Sequence, residues 1–251
     1  MTTADSSRRA RRKTILKELE LSPLWRARTT TPAPALAAPA EMEVKSGDTI
    51  AASNPVDDRR AQILQMHWDE LERSVEGCIA CSLCKSRTRT VFGVGDRNAD
   101  WLCIGEGPGE QEDATGEPFV GQAGKLLDNM LAAISLKRGL NVYIANVVKC
   151  RPPGNRNPTP HEAHQCEPYL ARQIELIEPK LIIALGKVAA QNLLLTDASI
   201  GSLRGRLHRY SGIPVIVTYH PAYLLRTLLA KAKAWEDLCF ARKAMESLGN
   251  S

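Results

Sequence analysis

Four short apolar runs recur along this chain: WLCIGEG at 101–107, NVYIANVVK at 141–149, KLIIALGK at 180–187 and PVIVTYHP at 214–221. Between and after them lie stretches of helical periodicity at 121–138, 160–178, 187–195 and from about 222 to 248. Leu64, Trp68, Leu71 and Val75 add a first amphipathic helix ahead of the runs. Strands that alternate with helices predict an α/β fold with a mostly parallel sheet. The runs are apolar on both faces, as parallel strands covered on both sides must be. A three-layer αβα domain around a central, mostly parallel four-stranded sheet is therefore expected. Polar residues or glycine stand where each run ends, at Glu106, Asn146, Gly186 and His220. Open α/β sheets bind ligands beyond the carboxyl ends of their strands, so four strand ends point at one crevice.

The 251 residues, 43% hydrophobic and 24% charged, suit one globular domain with an appendage. No apolar run approaches the ~18 residues of a membrane span, so a membrane partner is not expected. Residues 1–28 carry eight basic and three acidic side chains, which accounts for the whole net charge of +5. The body is charge-balanced, so nucleic acid would have to meet a local patch rather than a bulk polycation. Residues 29–58, with Pro32, Pro34, Pro39 and Pro55, read as an extended linker. The expected division is a disordered basic tail and linker over 1–58 and a folded domain over 59–251. Within the tail, residues 14–28 read either as a solvated segment or as a short peptide that folds onto a protein partner.

Seven cysteines without an apolar leader argue against a disulfide scaffold and for a cytoplasmic protein that ligates metal. Cys78 and Cys81 form a C-x2-C pair, and Cys150 and Cys166 a C-x15-C pair. Together they make a tetrahedral set of four sulfurs that suits zinc or an iron–sulfur cluster, and spacing alone does not choose. Cys84 extends the first run as a competing ligand or a packed thiol. Cys103 and Cys239 read as small core residues. An oxidised four-iron cluster held by four thiolates carries a charge of about −2. Lys85, Arg87, Arg89, Arg151 and Arg156 stand ready to offset that charge or to face phosphate.

The first run opens into GEGPGEQEDATGEPFVGQAGKLL at 105–127, which matches neither G-x-G-x-x-G nor a Walker loop. Gly105, Gly107 and Gly109 around Pro108 let a ligand approach the backbone closely. Phe119 is one of three phenylalanines in the chain. It reads either as a plug under the loop or as a platform for a flat ring.

GEGPGEQED with PFVGQAGKLLDNML, then NVVKCRPPGNRNPTPHEAHQC, LIIALGK and VTYHPAYLLR, resemble the type 4 uracil-DNA glycosylases over roughly residues 60–248. The resemblance implies a monomeric DNA-repair enzyme that excises uracil from DNA by hydrolysing the N-glycosidic bond. It implies a 4Fe-4S cluster on Cys78, Cys81, Cys150 and Cys166. Glu106 and Gly107 match the first catalytic motif, and Glu112 the acidic residue near the uracil C5 edge. Phe119 matches the ring that stacks on uracil, Asn146 the amide that reads its polar edge, and His220 the histidine facing O2. Leu224, Leu225 and Arg226 match the minor-groove loop that fills the gap left by the extracted nucleotide. The alternative within the superfamily is a non-catalytic or covalently trapping module. GEGPG in place of GEQPG, and the missing basic insert between Cys150 and Cys166, favour turnover. The residue that positions water is left among Glu106, Glu112 and a backbone group. No lysine occupies a matched catalytic position, so a monofunctional enzyme is expected.

Overall fold

The computed structural model describes residues 55–249. The expected tail, including residues 14–28, lies outside the described residues, as does the linker up to residue 54. The linker ends earlier than expected, because a helix, α1, already runs Pro55–Ile63. A second helix, α2, spans Trp68–Glu76. The single helix expected through Leu64 and Val75 is thus two, broken at residues 64–67. Leu71, Val75 and Ile63 pack with Phe92 and Tyr169 in a small core of their own.

The sheet has six strands rather than four: β1 Val94–Gly95, β2 Trp101–Gly105, β3 Val142–Asn146, β4 Leu181–Leu185, β5 Leu207–Tyr210 and β6 Ile213–Thr218, in the order β1-β3-β2-β4-β6-β5. The four predicted strands form its parallel centre, and β1 and β5 add antiparallel edges. The hairpin between β5 and β6 turns on Ser211 and Gly212, both at positive φ (46° and 87°), a pairing that matches strand twist.

Every residue of β2, β3 and β4 is buried. Alternation divides them between two cores. Leu102, Ile104, Ile182 and Val215 join one core with Leu170, Ile174 and Leu193; Cys103, Ile144, Ile183 and Ile216 join another with Leu127, Leu131 and Leu238. That division is the three-layer architecture. The first core is covered by helices α5, Pro160–Ile177, and α6, Lys187–Leu194. The second is covered by α4, Gln122–Ala133, and α9, Ala230–Gly249. The short helices are α3 Glu110–Thr115, α7 Ile200–Leu203 and α8 Pro221–Arg226. No helix among the described residues is long and apolar enough to cross a membrane.

Strand β2 has β3 on one side and β4 on the other. The chain therefore leaves β2 toward one edge and later returns to its opposite flank. That reversal opens a crevice at the carboxyl end of β2.

Candidate active site

The crevice is an open cavity of about 570 Å³ lined by Glu106, Gly107, Glu112, Phe119, Asn146 and His220, with Lys187, Tyr223 and Arg226 at its margin. All six expected base-handling residues thus share one hollow. Its size falls in the range of small-molecule sites.

Gly105, the last residue of β2, pairs with Asn146, the last residue of β3. Asn146 is 2% exposed, and its Oδ1 has no hydrogen-bond partner among the described residues. An orphaned buried acceptor is costly, so it marks a place where a ligand donor belongs.

Phe119 is a core residue at the crevice wall. Its backbone sits at φ 55°, a conformation that persists where neighbours over-determine it. Arg138 donates to the carbonyls of Pro118 (2.9 Å) and Phe119 (2.8 Å). Glu112 takes the next two amides: Val120 N–H and Gly121 N–H donate to its Oε1 at 2.9 and 3.1 Å. Gly109 N–H donates to Glu112 Oε2 at 3.1 Å. Both carboxylate oxygens of Glu112 are therefore engaged, and the residue ties the glycine turn to the Phe119 loop.

His220 caps α8, and its Nδ1 accepts the Ala222 N–H at 3.2 Å. That bond leaves the proton on Nε2. Burial, reinforced by Arg226, pushes His220 down to about 4, so the ring is neutral near pH 7. Its ring lies 5.5 Å from that of Phe119, with 29° between the planes. Glu106 is half-buried, and burial alone raises its carboxyl above the ordinary range. Its carboxyl has no hydrogen-bond or ion-pair partner among the described residues.

One expected DNA contact is corrected. Leu224 is 1% exposed and packs in the second core, so it cannot enter DNA. Leu225 (43% exposed), Tyr223 and Arg226 are the exposed residues of α8. Both leucines lie one turn from buried Pro221, so helical spacing does not separate them; packing against the second core does, and it takes Leu224.

The cysteines gather in a second hollow. Cys78, Cys81, Cys84, Cys150 and Cys166 all line it, with Arg87, Lys149, Glu162 and Tyr169. Cys103 is fully buried in the sheet, as expected, and Cys239 is partly buried on α9. On α5, Glu162, Cys166, Tyr169 and Gln173 follow at helical spacing and so share one face. Thr159 and Glu162 begin that helix with a reciprocal capping pair. Sulfur atoms in the hollow accept N–H bonds: Arg87 to Cys150 (3.2 Å), the Lys149 amide to Cys166 (3.3 Å) and Arg59 to Cys78 (3.7 Å). An all-sulfur donor set ringed by N–H donors fits a soft metal centre. Among the described residues, no three His, Cys, Asp or Glu side chains converge as ligands of a single ion.

Of the basic side chains expected near the cysteines, Arg87 reaches a sulfur and also donates to the carbonyls of Cys78 and Glu76. Arg156 is held by Glu162 through two bonds of 2.7 and 2.8 Å. This pair joins the crevice wall, where Arg156 lies, to the cysteine hollow, where Glu162 lies. Ser82, on the cysteine loop, also donates to Glu162 (3.2 Å). Sequence reasoning missed this pair and Lys149, which is 1% exposed. A lysine as the sole charge in NVYIANVVK was the available signal.

Comparison with known proteins places these hollows in context. A family model described as the uracil DNA glycosylase superfamily matches residues 92–239. The chain is 47% identical over 165 residues to a type-4 uracil-DNA glycosylase of Archaeoglobus fulgidus, covering 62% of this chain and 82% of the relative. It is 47% identical over 154 residues to the type-4 uracil-DNA glycosylase of Thermotoga maritima, covering 61% and 80%. Similarity is lower, 31% over 146 residues, to a type-5 uracil-DNA glycosylase of Pyrobaculum aerophilum, covering 52% and 64%.

Proposed function

The chain belongs to the type-4 uracil-DNA glycosylases of the uracil DNA glycosylase superfamily, and from this membership and the crevice we infer that it excises uracil from DNA, hydrolysing the N-glycosidic bond and leaving an abasic site. The observation that carries the site reading is the convergence of Phe119, Asn146 and His220 on one hollow.

A stacked uracil must first rotate out of the duplex, at a cost of a few kcal/mol. Stacking on Phe119 returns roughly 1–3 kcal/mol. Leu225 enters the vacated stack, beside Arg226 on the same exposed face of α8. The Asn146 carboxamide accepts from uracil N3–H through its orphaned Oδ1 and donates to O4. Cytosine presents the reverse pattern, and sites built on such bonds reject the wrong partner by about 10⁴–10⁵-fold. Glu112 acts by position: it fixes the loop that forms the wall beside Phe119, where a 5-methyl group would collide.

Cleavage builds negative charge on the departing base and positive charge on the sugar. His220 Nε2–H donates to O2 as that charge develops, and a fixed neutral donor needs no reorganisation. Glu106 is the unclamped carboxylate of the crevice. It is the group to orient water or face the cationic sugar, since both oxygens of Glu112 are occupied.

The four cysteines Cys78, Cys81, Cys150 and Cys166 hold a 4Fe-4S cluster in this reading, with Arg87 as counter-charge. When bound, such a cluster supplies a compact anionic, redox-capable crosslink between two distant loops. Support comes from the cysteine sulfurs that line one hollow and the N–H donors aimed at them. Residues 55–251 form the glycosylase unit, acting as a monomer in the cytoplasm. Residues 1–54, with the eight basic side chains of residues 1–28, add salt-sensitive affinity for DNA.

The test is a labelled oligonucleotide with one uracil, incubated with protein purified without air. A strand cut only after alkali, and only where uracil stood, is expected. An uncut strand under those conditions refutes the activity.

A further inference from the structure

Lys149 takes no part in the chemistry above, yet it stands between the two hollows. It is 1% exposed. Its backbone amide donates to Cys166 Sγ at 3.3 Å, and the next residue is Cys150. Its Nζ donates to the backbone carbonyl of Asn146 at 2.9 Å and to Gln173 Oε1 at 2.6 Å. Gln173 is held in turn, donating to the Phe92 carbonyl at 3.0 Å. The Asn146 carbonyl lies at the end of β3, where the parallel ladder with β2 stops. The peptide that follows the base-reading residue is thus held from two sides: the Val147 N–H donates to the Gly105 carbonyl on β2 at 3.0 Å, and the Asn146 carbonyl accepts from the Lys149 side chain.

Burying an ammonium is expensive, and a well-packed apolar side chain of similar volume is often neutral or better for stability. A lysine kept here must be compensated, and the compensation is visible on both sides. Two carbonyl-type oxygens accept from Nζ, and Lys149 lines the hollow together with Cys150 and Cys166, whose sulfurs would be the anionic flank once they hold a cluster. On the cysteine side, the groups facing this region are Cys150, Cys166, Tyr169 and the Arg87 guanidinium.

We propose that Lys149 is a positioning residue shared by both centres: its ammonium offsets the thiolate charge of the cysteine hollow and holds Asn146 at the depth needed to read uracil. The inference rests on the function proposed above. Lys149 touches neither the base nor the sugar, so its effect on cleavage passes through Asn146.

The test uses the full chain, purified without air, as parent, Lys149→Met and Lys149→Arg. Iron content, the midpoint potential of the cluster, duplex affinity and the single-turnover rate of uracil release are measured. Lys149→Met is expected to retain iron and bind duplex within about twofold of parent while releasing uracil at least about tenfold more slowly. Its potential falls, because a buried positive charge that favours the reduced cluster is gone; Lys149→Arg restores it. A Met variant with iron retained, parental rate and parental potential overturns the proposal. Where Lys149→Met fails to fold, Gln173→Leu decides, since it removes one acceptor and leaves the charge. A several-fold loss in rate at unchanged potential supports the proposal there, and a parental rate overturns it. A parent lacking iron or uracil release fails the proposed function and this inference with it; a competent parent indifferent to the substitutions fails the inference alone.

Discussion

Gly105→Ala places one methyl group between the two residues that grip the base. A Cβ at Gly105 would overlap Asn146 Oδ1 and stand 2.6 Å from Phe119 Cζ. Ordinary contact needs about 3.5 Å, so the ring must retreat by about 1 Å, and the amide with it. Neither has room. Asn146 is 2% and Phe119 6% exposed, and the Phe119 backbone is pinned by Arg138 and by the amides held on Glu112. Overpacking of this kind costs about 1–3 kcal/mol of stability, or roughly 2–12 °C in Tm for a domain of this size. Misplacing a recognition group by about 1 Å costs on the order of 100-fold in rate. Single-turnover uracil release at saturating duplex is the assay, with Tm and duplex affinity measured beside it. The expected result is a rate down roughly 100-fold with affinity within about threefold. Gly201→Ala is the control, because its nearest atom is Ser199 Oγ at 3.9 Å, and it should be silent. A parental rate in folded Gly105→Ala would show that Asn146 and Phe119 do not act at the positions described.

Further outcomes follow from the same geometry. His220→Ala should slow cleavage at saturating DNA by roughly 100-fold or more, as loss of a fixed donor to a developing anion does; a defect confined to DNA affinity would contradict its role. Because His220 is held neutral down to about 4, the rate should show no inflection near 6.5. It should instead fall with acid as Glu106, whose carboxyl is raised by burial, takes up a proton; Glu106→Gln should flatten that limb, and a limb that persists would assign it elsewhere. Folding stability is expected to drop over the same descent, since the unfolded chain protonates His220 first, beginning near its ordinary 6.5. The adjacent leucines separate cleanly. Leu224→Ala should cost about 2–5 kcal/mol of stability. Leu225→Ala should change stability by less than about 0.5 kcal/mol yet slow release from duplex more than from single strands. The reverse assignment in either assay would refute the wedge.

The sheet centre was legible because β2, β3 and β4 are buried on both faces, which writes a continuous apolar run into the sequence. The edges were not. β1 has two residues, one of them glycine, and β5 alternates exposed and half-buried residues, so neither leaves an apolar run. The last helix also broke in two, with Leu228 and Leu229 exposed between α8 and α9. The crevice was legible for a topological reason: polar groups at the ends of parallel strands must meet on one side. What escaped were pairings fixed by tertiary contact. Lys149 meets Gln173 across 24 residues, and Arg89 and Thr88 amides find Asp113 across a similar span. Leu224 and Leu225 are indistinguishable by type and both lie one turn from Pro221, and only packing against the second core sets which one faces inward. Arg156 read as a free cation until Glu162, hidden at 3% exposure, claimed it.

The grip on the base is tested most directly by single-turnover uracil release from duplex DNA by Asn146→Ala, with binding to the same duplex measured in parallel. Cleavage should fall by several orders of magnitude while affinity stays within a few-fold of parent. Cleavage at the parental rate would contradict the assignment of Asn146 as the reader of uracil.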